Sequence, residues 1–540
     1  MNGLKTYTHR NDRERERVSE SGSHLRVKDY RLSGTGWQRA GMWLVVIGVL
    51  ICVALTFSTT RAHAGAPDTL DIAAIDGFLE NQMRSAAIPG LAVAITQGDR
   101  VVHVRGFGHD SQGRPVTGDT PFRIASLSKS FTSLAVLQLV DAGLVSLDDP
   151  VIAHLPEFRL NDPRGSDITV RQLLDHTTGL ADSTSPDLSR NQPDTLAEAT
   201  AALTAVDLVA MPGAQWNYHN PNYEIAARLV EVVSGETFEH YLQRHVFQPI
   251  GMISSVTTKT DNERVEGLAD GHVALYGTPV GMRGPGLFAA GSGGVVSTAS
   301  DMARWLAVQT NYGMSADGSR ILSKQGLISM HTPSAPNGYA LGWDTDGPVA
   351  APTRLEHSGN LLTFSAFQVL LPSDDIGVAL LFNSSTAFLD EQSAIISRVI
   401  DLIEGADVPP SDTLTRTNVM NAILALLTVV GVALGARLTM LSRRWASRSG
   451  ASRTRLALST VPFVAVVGLC AAFPRLAELA YGREVTWVAA AYGWPALVIF
   501  VLSTGLAALI VLSTRVLRLH QRRRASKHPA TAGRPVPPPM

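Results

Sequence analysis

Three apolar runs after Thr417, near residues 418–436, 456–473 and 488–514, constrain this chain more than any other feature. Each is long enough to cross a hydrocarbon core about 30 Å thick, and a segment in lipid must satisfy its own backbone polar groups, so each predicts a transmembrane helix. The links set the orientation. "RLTMLSRRWASRSGASRTR" (437–455) carries six arginines and no acid, whereas "PRLAELAYGREVT" (474–486) balances two basic residues with two acidic ones. The tail from 515 to 540 is basic again. An excess of Lys/Arg in short links marks the cytoplasmic side. The first link and the tail are therefore expected inside, and residues 65–417 outside. The spans lack ionisable residues in their interiors, which argues against an ion path. Gly431-x-x-x-Gly435 offers a close helix contact, but that spacing is common by chance in Gly/Ala-rich spans and plain anchoring is the better reading.

The other end agrees. Residues 1–40 are polar, charged and without apolar periodicity, as in a cytosolic disordered tail. The apolar run Gly41–Phe57 is followed by Ala62-His63-Ala64, so 41–64 reads either as a signal peptide cleaved after Ala64 or as an uncleaved signal anchor. Either one delivers the residues after Ala64 to the outer face. The expectation is a multi-pass protein of the cell membrane with one large extracytoplasmic domain at 67–403 and a linker at 404–417. The formal net charge of −1 gives no reason to expect a nucleic-acid partner. Oligomeric state has no signature.

Between 67 and 403, helical and strand patterns alternate without an internal repeat. "GLAVAITQGDRVVHVRGFG" reads as a hairpin, and "FSAFQVLLPSDDIGVALLFNSS" as a second one followed by a helix from about Glu391. "SKSFTSLAVLQLVDAGLV" has helical spacing that ends at Gly143. "NYEIAARLVEVVSGETFEHYLQRHVF" reads as two helices divided at Gly235. Strands at both ends with helices between them predict an α+β domain whose sheet joins the termini.

Chemistry concentrates in three stretches. The chain has only six lysines, and only Lys129 has a serine three residues earlier, in the apolar run "RIASLSKSFTSL". Residues three apart share a helix face, so the Ser126 hydroxyl and the Lys129 amine can meet. Burial lowers a lysine pKa, and a neutral amine beside a hydroxyl is a base beside a nucleophile. The alternative is a helix-capping serine with a snorkelling lysine. In "WNYHNPNYEIAARL", Tyr218 and Asn220 are two apart in an extended segment and face the same way. A phenol can relay a proton and a carboxamide can hold an amide, but a packed tyrosine and an Asn-Pro turn would look the same. In "RLEHSGNLLTFSAFQVLLP", His357, Ser358 and Gly359 lie between strands, where glycine allows close approach and His and Ser offer donors to an anionic oxygen.

In that order, S-x-x-K, Y-x-N and H-S-G before a hairpin resemble the serine β-lactamase and penicillin-binding protein family. The likeness is to the class C-like branch, which includes class C β-lactamases, D-alanyl-D-alanine carboxypeptidases, D-aminopeptidases and β-lactamase-like esterases. "IPGLAVAITQGDRV", "ITVRQLLDHTTGL", "GETFEHYLQRHVFQPIGM", "AAGSGGVVSTASDMARW" and "YALGWDTDG" extend the likeness over roughly residues 70–403. The resemblance implies an antiparallel sheet flanked by helices, plus a helical subdomain. It implies that Ser126 is the acylated nucleophile, Lys129 its base, and Tyr218 the proton shuttle. Asn220 would bind the acyl amide, His357, Ser358 and Gly359 would meet the substrate carboxylate or tune the site, and the backbone N–H groups of Ser126 and Asn360 would form the oxyanion hole. Three positions depart from the branch: His357 replaces a lysine, Thr363–Ala366 replaces a Gly-Phe-Ser-Ser run, and Asn222 replaces a glycine. A histidine, whose charge depends on pH, predicts poor β-lactam hydrolysis.

No cofactor is implied and no metal is expected. H-E-x-x-H is absent, and His240 and His245 are five apart, on different helix faces. The only cysteines, Cys52 and Cys470, lie in apolar runs. "AAGSGG" has Ala290 where G-x-S-x-G needs a glycine, and His176 reads as a structural histidine. Two functions fit these residues. One is a membrane-tethered serine hydrolase acting on amides or esters of a small molecule or peptide, with cell-wall peptides among the candidates. The other is a binding protein or sensor on the same fold that captures such ligands without turnover.

Overall fold

The computed structural model describes residues 70–347, 351–385, 391–406, 413–448 and 453–527. The tail at 1–40 and the signal or anchor segment at 41–64 lie outside the described residues.

The domain is built on a six-stranded antiparallel sheet in the order β2-β1-β11-β10-β9-β8. Its strands are β1 (Gly90–Gln97), β2 (Arg100–Gly108), β8 (Asp344–Asp346), β9 (Arg354–Leu361), β10 (Phe364–Leu371) and β11 (Ile376–Phe382). The first and last hairpins meet in the middle, where β1 pairs with β11 from Leu91↔Phe382 to Gln97↔Ile376. The sheet therefore joins the ends of the domain, as the strand pattern predicts. Two three-stranded sheets are additional: β3 (Phe122–Arg123), β7 (Val295–Ser297) and β4 (Val256–Thr257) form one. In the other, β5 (Gly271–Leu275) lies between β12 (Ser384–Ser385) and β6 (Thr278–Met282).

Both faces of the main sheet are covered, so its central strands are apolar on both sides rather than alternating with polar residues. Leu91, Val93, Ile95, Val378, Leu380 and Phe382 pack with Ile75 and Leu79 of helix Ile72–Ala86 and with Ile396 and Val399 of helix Glu391–Ile403. On the opposite face Ala92, Ala94, Ala379 and Leu381 meet the main core, which includes Trp305 and Phe131 stacked at 3.9 Å. The helix Ser128–Asp141 runs through this core and is buried from Ser128 to Leu137. Half of its residues are polar, and the buried hydroxyls have partners: Ser128 Oγ donates to Ala125 O at 2.6 Å, Ser130 Oγ to Leu127 O at 2.7 Å, and Thr132 Oγ1 to Gly291 O at 2.6 Å. This is what burial of a hydroxyl requires.

After the domain the described residues are mostly helical. Two helices, Thr417–Ser447 and Pro495–Arg522, are long and apolar enough to cross a membrane, and the pair Leu456–Ala471 and Phe473–Tyr481, bent by 54°, makes a third if it acts as one span. Leu426, Val429 and Leu458 are 63%, 66% and 70% exposed, as suits side chains that face lipid. The three expected runs thus differ in detail. The first helix continues to Arg448, through much of the arginine-rich link. The second bends after Ala471. The third run is divided: Trp487–Gly493 is a separate short helix, and the long one begins at Pro495, a residue suited to a helix start. That helix runs on to Lys527, into the tail. The Gly431/Gly435 face is packed, since a Cβ on Gly435 would lie 2.7 Å from the Ala507 Cβ.

Candidate active site

Ser126 sits in the 3₁₀ turn Ala125–Leu127 that feeds the central helix. The helix N-cap is Leu127 and no side chain caps it, so Ser126 is not the cap of the alternative reading. Lys129 does not snorkel either: it is fully buried. Its Nζ lies 3.1 Å from Ser126 Oγ and donates at 2.8 Å to both Asn220 Oδ1 and the Ser292 carbonyl. Burial drives the Lys129 amine well below the ordinary lysine range, reinforced by the Arg483 cation and opposed by Asp187 and Glu224. The turn before the nucleophile is strained, because Ala125 holds φ +51°, a left-handed conformation costly for any residue with a Cβ.

The other expected residues gather around this pair. Lys129 Nζ lies 4.8 Å from the Tyr218 ring centroid, and the Tyr218 hydroxyl hydrogen-bonds with Ser126. Burial raises the Tyr218 pKa, opposed by the Ser126 bond and by Arg483. Asn220, the first residue of helix Asn220–Ser234, is held at both ends: Oδ1 accepts from Lys129 and Nδ2 donates to Asp187 Oδ2 at 2.7 Å. One amide N–H remains for a ligand.

β9 closes the site. β8 pairs with β9 only from Arg354 to Glu356, so the next residues of β9 face the Ser126 turn instead. Gly359 is needed there: a Cβ would lie 2.5 Å from Ile124 O and 3.0 Å from both Ala125 Cβ and Ser126 N. The backbone N–H of Ser126 and the β9 segment leading to Asn360 are thereby adjacent. Ser358 and Asn360 are exposed, and Asn360 Oδ1 accepts from Ser385 Oγ at 3.0 Å.

His357 departs from the expectation. It is 3% exposed, its Nε2 lies 2.9 Å from the Tyr339 hydroxyl and its Nδ1 lies 2.7 Å from the Ser358 carbonyl. Burial, with help from the nearby Lys129, pushes its pKa down to about 3. The pH-dependent charge expected of His357 is therefore absent across the ordinary pH range, and so is a cation for a substrate carboxylate at this position. Tyr339, which lies in "YALGWDTDG", is the contact that sequence did not reveal.

Other contributors lie outside the three motifs. Ser292 of "AAGSGG" supplies the third acceptor of Lys129. Asp187, which holds Asn220, is in turn paired with Arg190 at 3.2 Å, and Arg190 with Glu224 at 2.8 Å. His176 is buried at φ +60°; its Nδ1 lies 3.1 Å from Asn222 Nδ2 and accepts from the His219 N–H at 3.3 Å. It braces the Tyr218–Asn222 segment from behind. Asn222, where the branch has glycine, fills this bracing position and also accepts from Thr178 Oγ1 at 2.9 Å. Among the described residues no cluster of three or more His, Cys, Asp or Glu is arranged to hold a metal.

A serine, a buried lysine whose charged form burial disfavours and a tyrosine in mutual contact on an α+β scaffold define the serine acyl-transfer hydrolase class. The chain belongs to the Beta-lactamase family, whose model matches residues 75–398. Protein flp of Staphylococcus aureus (strain MW2) is 29% identical over 324 residues, which are 58% of this chain and 64% of that protein. The chain thus spans just under two thirds of the length of that relative. Penicillin-binding protein 4 of Amycolatopsis lactamdurans is 31% identical over 319 residues, 56% of this chain and 82% of that protein. Among solved structures, the octameric penicillin-binding protein homologue from Pyrococcus abyssi superposes with a TM-score of 0.53 at 26% identity, covering 63% of this chain and 78% of that one.

Proposed function

We propose that this chain is a membrane-tethered, extracytoplasmic serine hydrolase that opens amide or ester bonds through an acyl-enzyme on Ser126. The observation that carries the reading is Lys129 Nζ, fully buried and 3.1 Å from Ser126 Oγ. A buried amine that prefers its neutral form accepts the Ser126 proton as Oγ attacks the carbonyl carbon. The oxyanion forms against the N–H groups of Ser126 and Asn360. Tyr218, in contact with both Ser126 and Lys129, passes the proton to the leaving amine or alkoxide. In deacylation the same groups take a proton from water as its oxygen bonds the acyl carbon, and return a proton to Ser126 Oγ as the acyl–Oγ bond breaks and the acid leaves. Asn220 fixes Lys129 and offers its remaining N–H to the acyl amide.

The substrates in view are D-amino-acid peptides, cell-wall peptides included, and small esters. β-Lactams are at most slow substrates, because neutral His357 gives their carboxylate no charge partner. The alternative, a sensor that captures its ligand without turnover, would need at most the acylation half of this machinery. Membrane placement is supported by the apolar helices, and orientation by the arginine-rich link. The 474–486 link also touches the catalytic domain, as expected if both are on the outer side.

The test is turnover by the full-length protein of an aryl ester, a D-alanyl-D-alanine peptide and a chromogenic cephalosporin, compared with Ser126→Ala. Ser126-dependent turnover, with the cephalosporin slower than the ester, is expected. A stoichiometric burst with no turnover on any substrate supports the sensor instead.

A further inference from the structure

Arg483 belongs in sequence to the link between the second and third apolar runs, far from the hydrolase domain. In the folded chain it stands on the site: its guanidinium carbon is 5.0 Å from the Tyr218 ring centroid, and its Nε donates to Asp182 Oδ2 at 2.9 Å. The other Asp182 oxygen is 3.0 Å from Nδ1 of His219, the residue between Tyr218 and Asn220. The neighbouring Glu484 accepts from the backbone N–H groups of Leu188 and Ser189 at 2.6 and 3.0 Å. That loop also carries Asp187, which holds Asn220. Two consecutive residues of the membrane segment thus grip both ends of the loop that positions the Y-x-N motif. A third tie, Tyr492 Oη donating to the Arg283 carbonyl at 2.9 Å, fixes the segment to the domain nearby.

We infer that Arg483 is a positioning residue of the hydrolase site, supplied by the membrane segment, which orients Tyr218 and Asn220 through Asp182 and places a fixed positive charge beside Lys129. The inference rests on the acyl-transfer reading above. It makes the extracytoplasmic domain's site incomplete without the segment that anchors it.

The charges around Lys129 show why a cation matters there. From the 182–190 loop come Asp182, Asp187 and Arg190, and from helix Asn220–Ser234 comes Glu224, paired with Arg190. The link adds Arg483 and Glu484, β8 adds Asp344, and the imidazoles of His176, His219 and His357 and the phenols of Tyr223 and Tyr339 complete the surroundings. Burial disfavours the charged form of His176 and pushes the pKa of His357 down to about 3. Asp187 and Glu224 favour protonated Lys129, whereas burial and Arg483 oppose it. Removing Arg483 leaves Asp182 without its cation and tips the balance toward the protonated, inactive amine. Lys129 and Arg483 both lie about 5 Å from one ring centroid. A unit charge within roughly 10 Å at an effective dielectric of about 20 moves a pKa by about one unit.

The experiment is the pH profile of kcat/KM for an aryl ester with the full chain in membranes or detergent. Wild type, Arg483→Ala, Arg483→Gln and Arg483→Lys are compared. The ascending limb reports deprotonation of Lys129 and should move about one pH unit upward in Arg483→Ala and Arg483→Gln, with a loss approaching tenfold at pH values below the midpoint of the wild-type limb. Arg483→Lys should restore the wild-type limb. Arg483→Gln keeps a donor for Asp182, so a folding defect in the alanine variant does not end the test. A limb that stays in place in the glutamine variant, whether the rate is unchanged or lowered equally at every pH, overturns the inference. Wild-type protein without Ser126-dependent turnover would instead overturn the hydrolase reading, so the two failures are distinguishable.

Discussion

Gly359→Ala is the sharpest perturbation of the contact between β9 and the nucleophile turn. The added methyl would lie 2.5 Å from the Ile124 carbonyl oxygen and 3.0 Å from Ala125 Cβ and Ser126 N. The obstructing atoms are mostly backbone and cannot rotate away, and they belong to a turn already strained at Ala125. Relief requires β9 and the turn to part by about half an ångström, in an interior packed as densely as a crystal. Overpacking of this kind costs about 1–3 kcal/mol of stability. It also opens the gap in which the oxyanion should sit. Since a misplacement of about 1 Å can cost about 10²-fold, a loss of about tenfold or more in kcat/KM is expected. The assay is aryl-ester hydrolysis by the full-length protein, alongside thermal melting. Gly77→Ala is the matched control, because a Cβ there meets nothing within 4 Å inside the helix Ile72–Ala86. It should gain about 0.5–1 kcal/mol and keep full activity. Gly359→Ala with wild-type kcat/KM and an unchanged melting temperature would refute the close approach of β9 to Ser126.

Lys129→Ala should cut acylation by about 10²–10⁴-fold, the usual worth of a positioned base, and Tyr218→Phe should fall in a similar range without loss of fold; stopped-flow acylation with circular dichroism checks both. His357 has its pKa lowered to about 3 in the fold, against about 6.5 unfolded, so the unfolded chain binds the extra proton between those values. Its contribution to stability is complete above about pH 6.5 and is lost as the pH falls toward 3. The melting-temperature advantage of wild type over His357→Gln should therefore shrink from pH 7 to pH 4, and an advantage that grows on acidification would contradict the buried neutral imidazole. For topology, a cysteine at Ser411 should react with an impermeant maleimide in intact cells, whereas one at Ser449 should react only after permeabilisation.

The parts of this molecule that are legible in sequence are those set by local patterning. Two hairpins, the helix after Ser126, the division at Gly235 and the closing helix from Glu391 all come from period, turn residues and caps. The burial of Lys129 is legible for a similar reason, since it opens a helix that continues as Phe131, Leu134, Ala135, Val136 and Leu137 with no other charge before Asp141. The illegible parts depend on partners distant along the chain. The neutral state of His357 comes from burial beside Tyr339 and Lys129, which its own strand pattern does not show. Asp182, Asp187 and Arg190 look like ordinary polar loop residues until the fold sets them against Tyr218–Asn220. In sequence Arg483 is only one charge of a balanced link, although it stacks on a tyrosine 265 positions earlier. The breaks in the apolar runs carry a weak local signal in Pro495, which hydropathy alone overrides.

The central claim is that Ser126 becomes covalently acylated. The most direct measurement is intact mass followed by peptide mapping of the full-length protein after incubation with a fluorescent penicillin and, separately, a fluorophosphonate. One adduct per chain, on the peptide containing Ser126 and absent from Ser126→Ala, is the predicted result. An adduct that persists in Ser126→Ala, or that maps to another residue, would contradict the account.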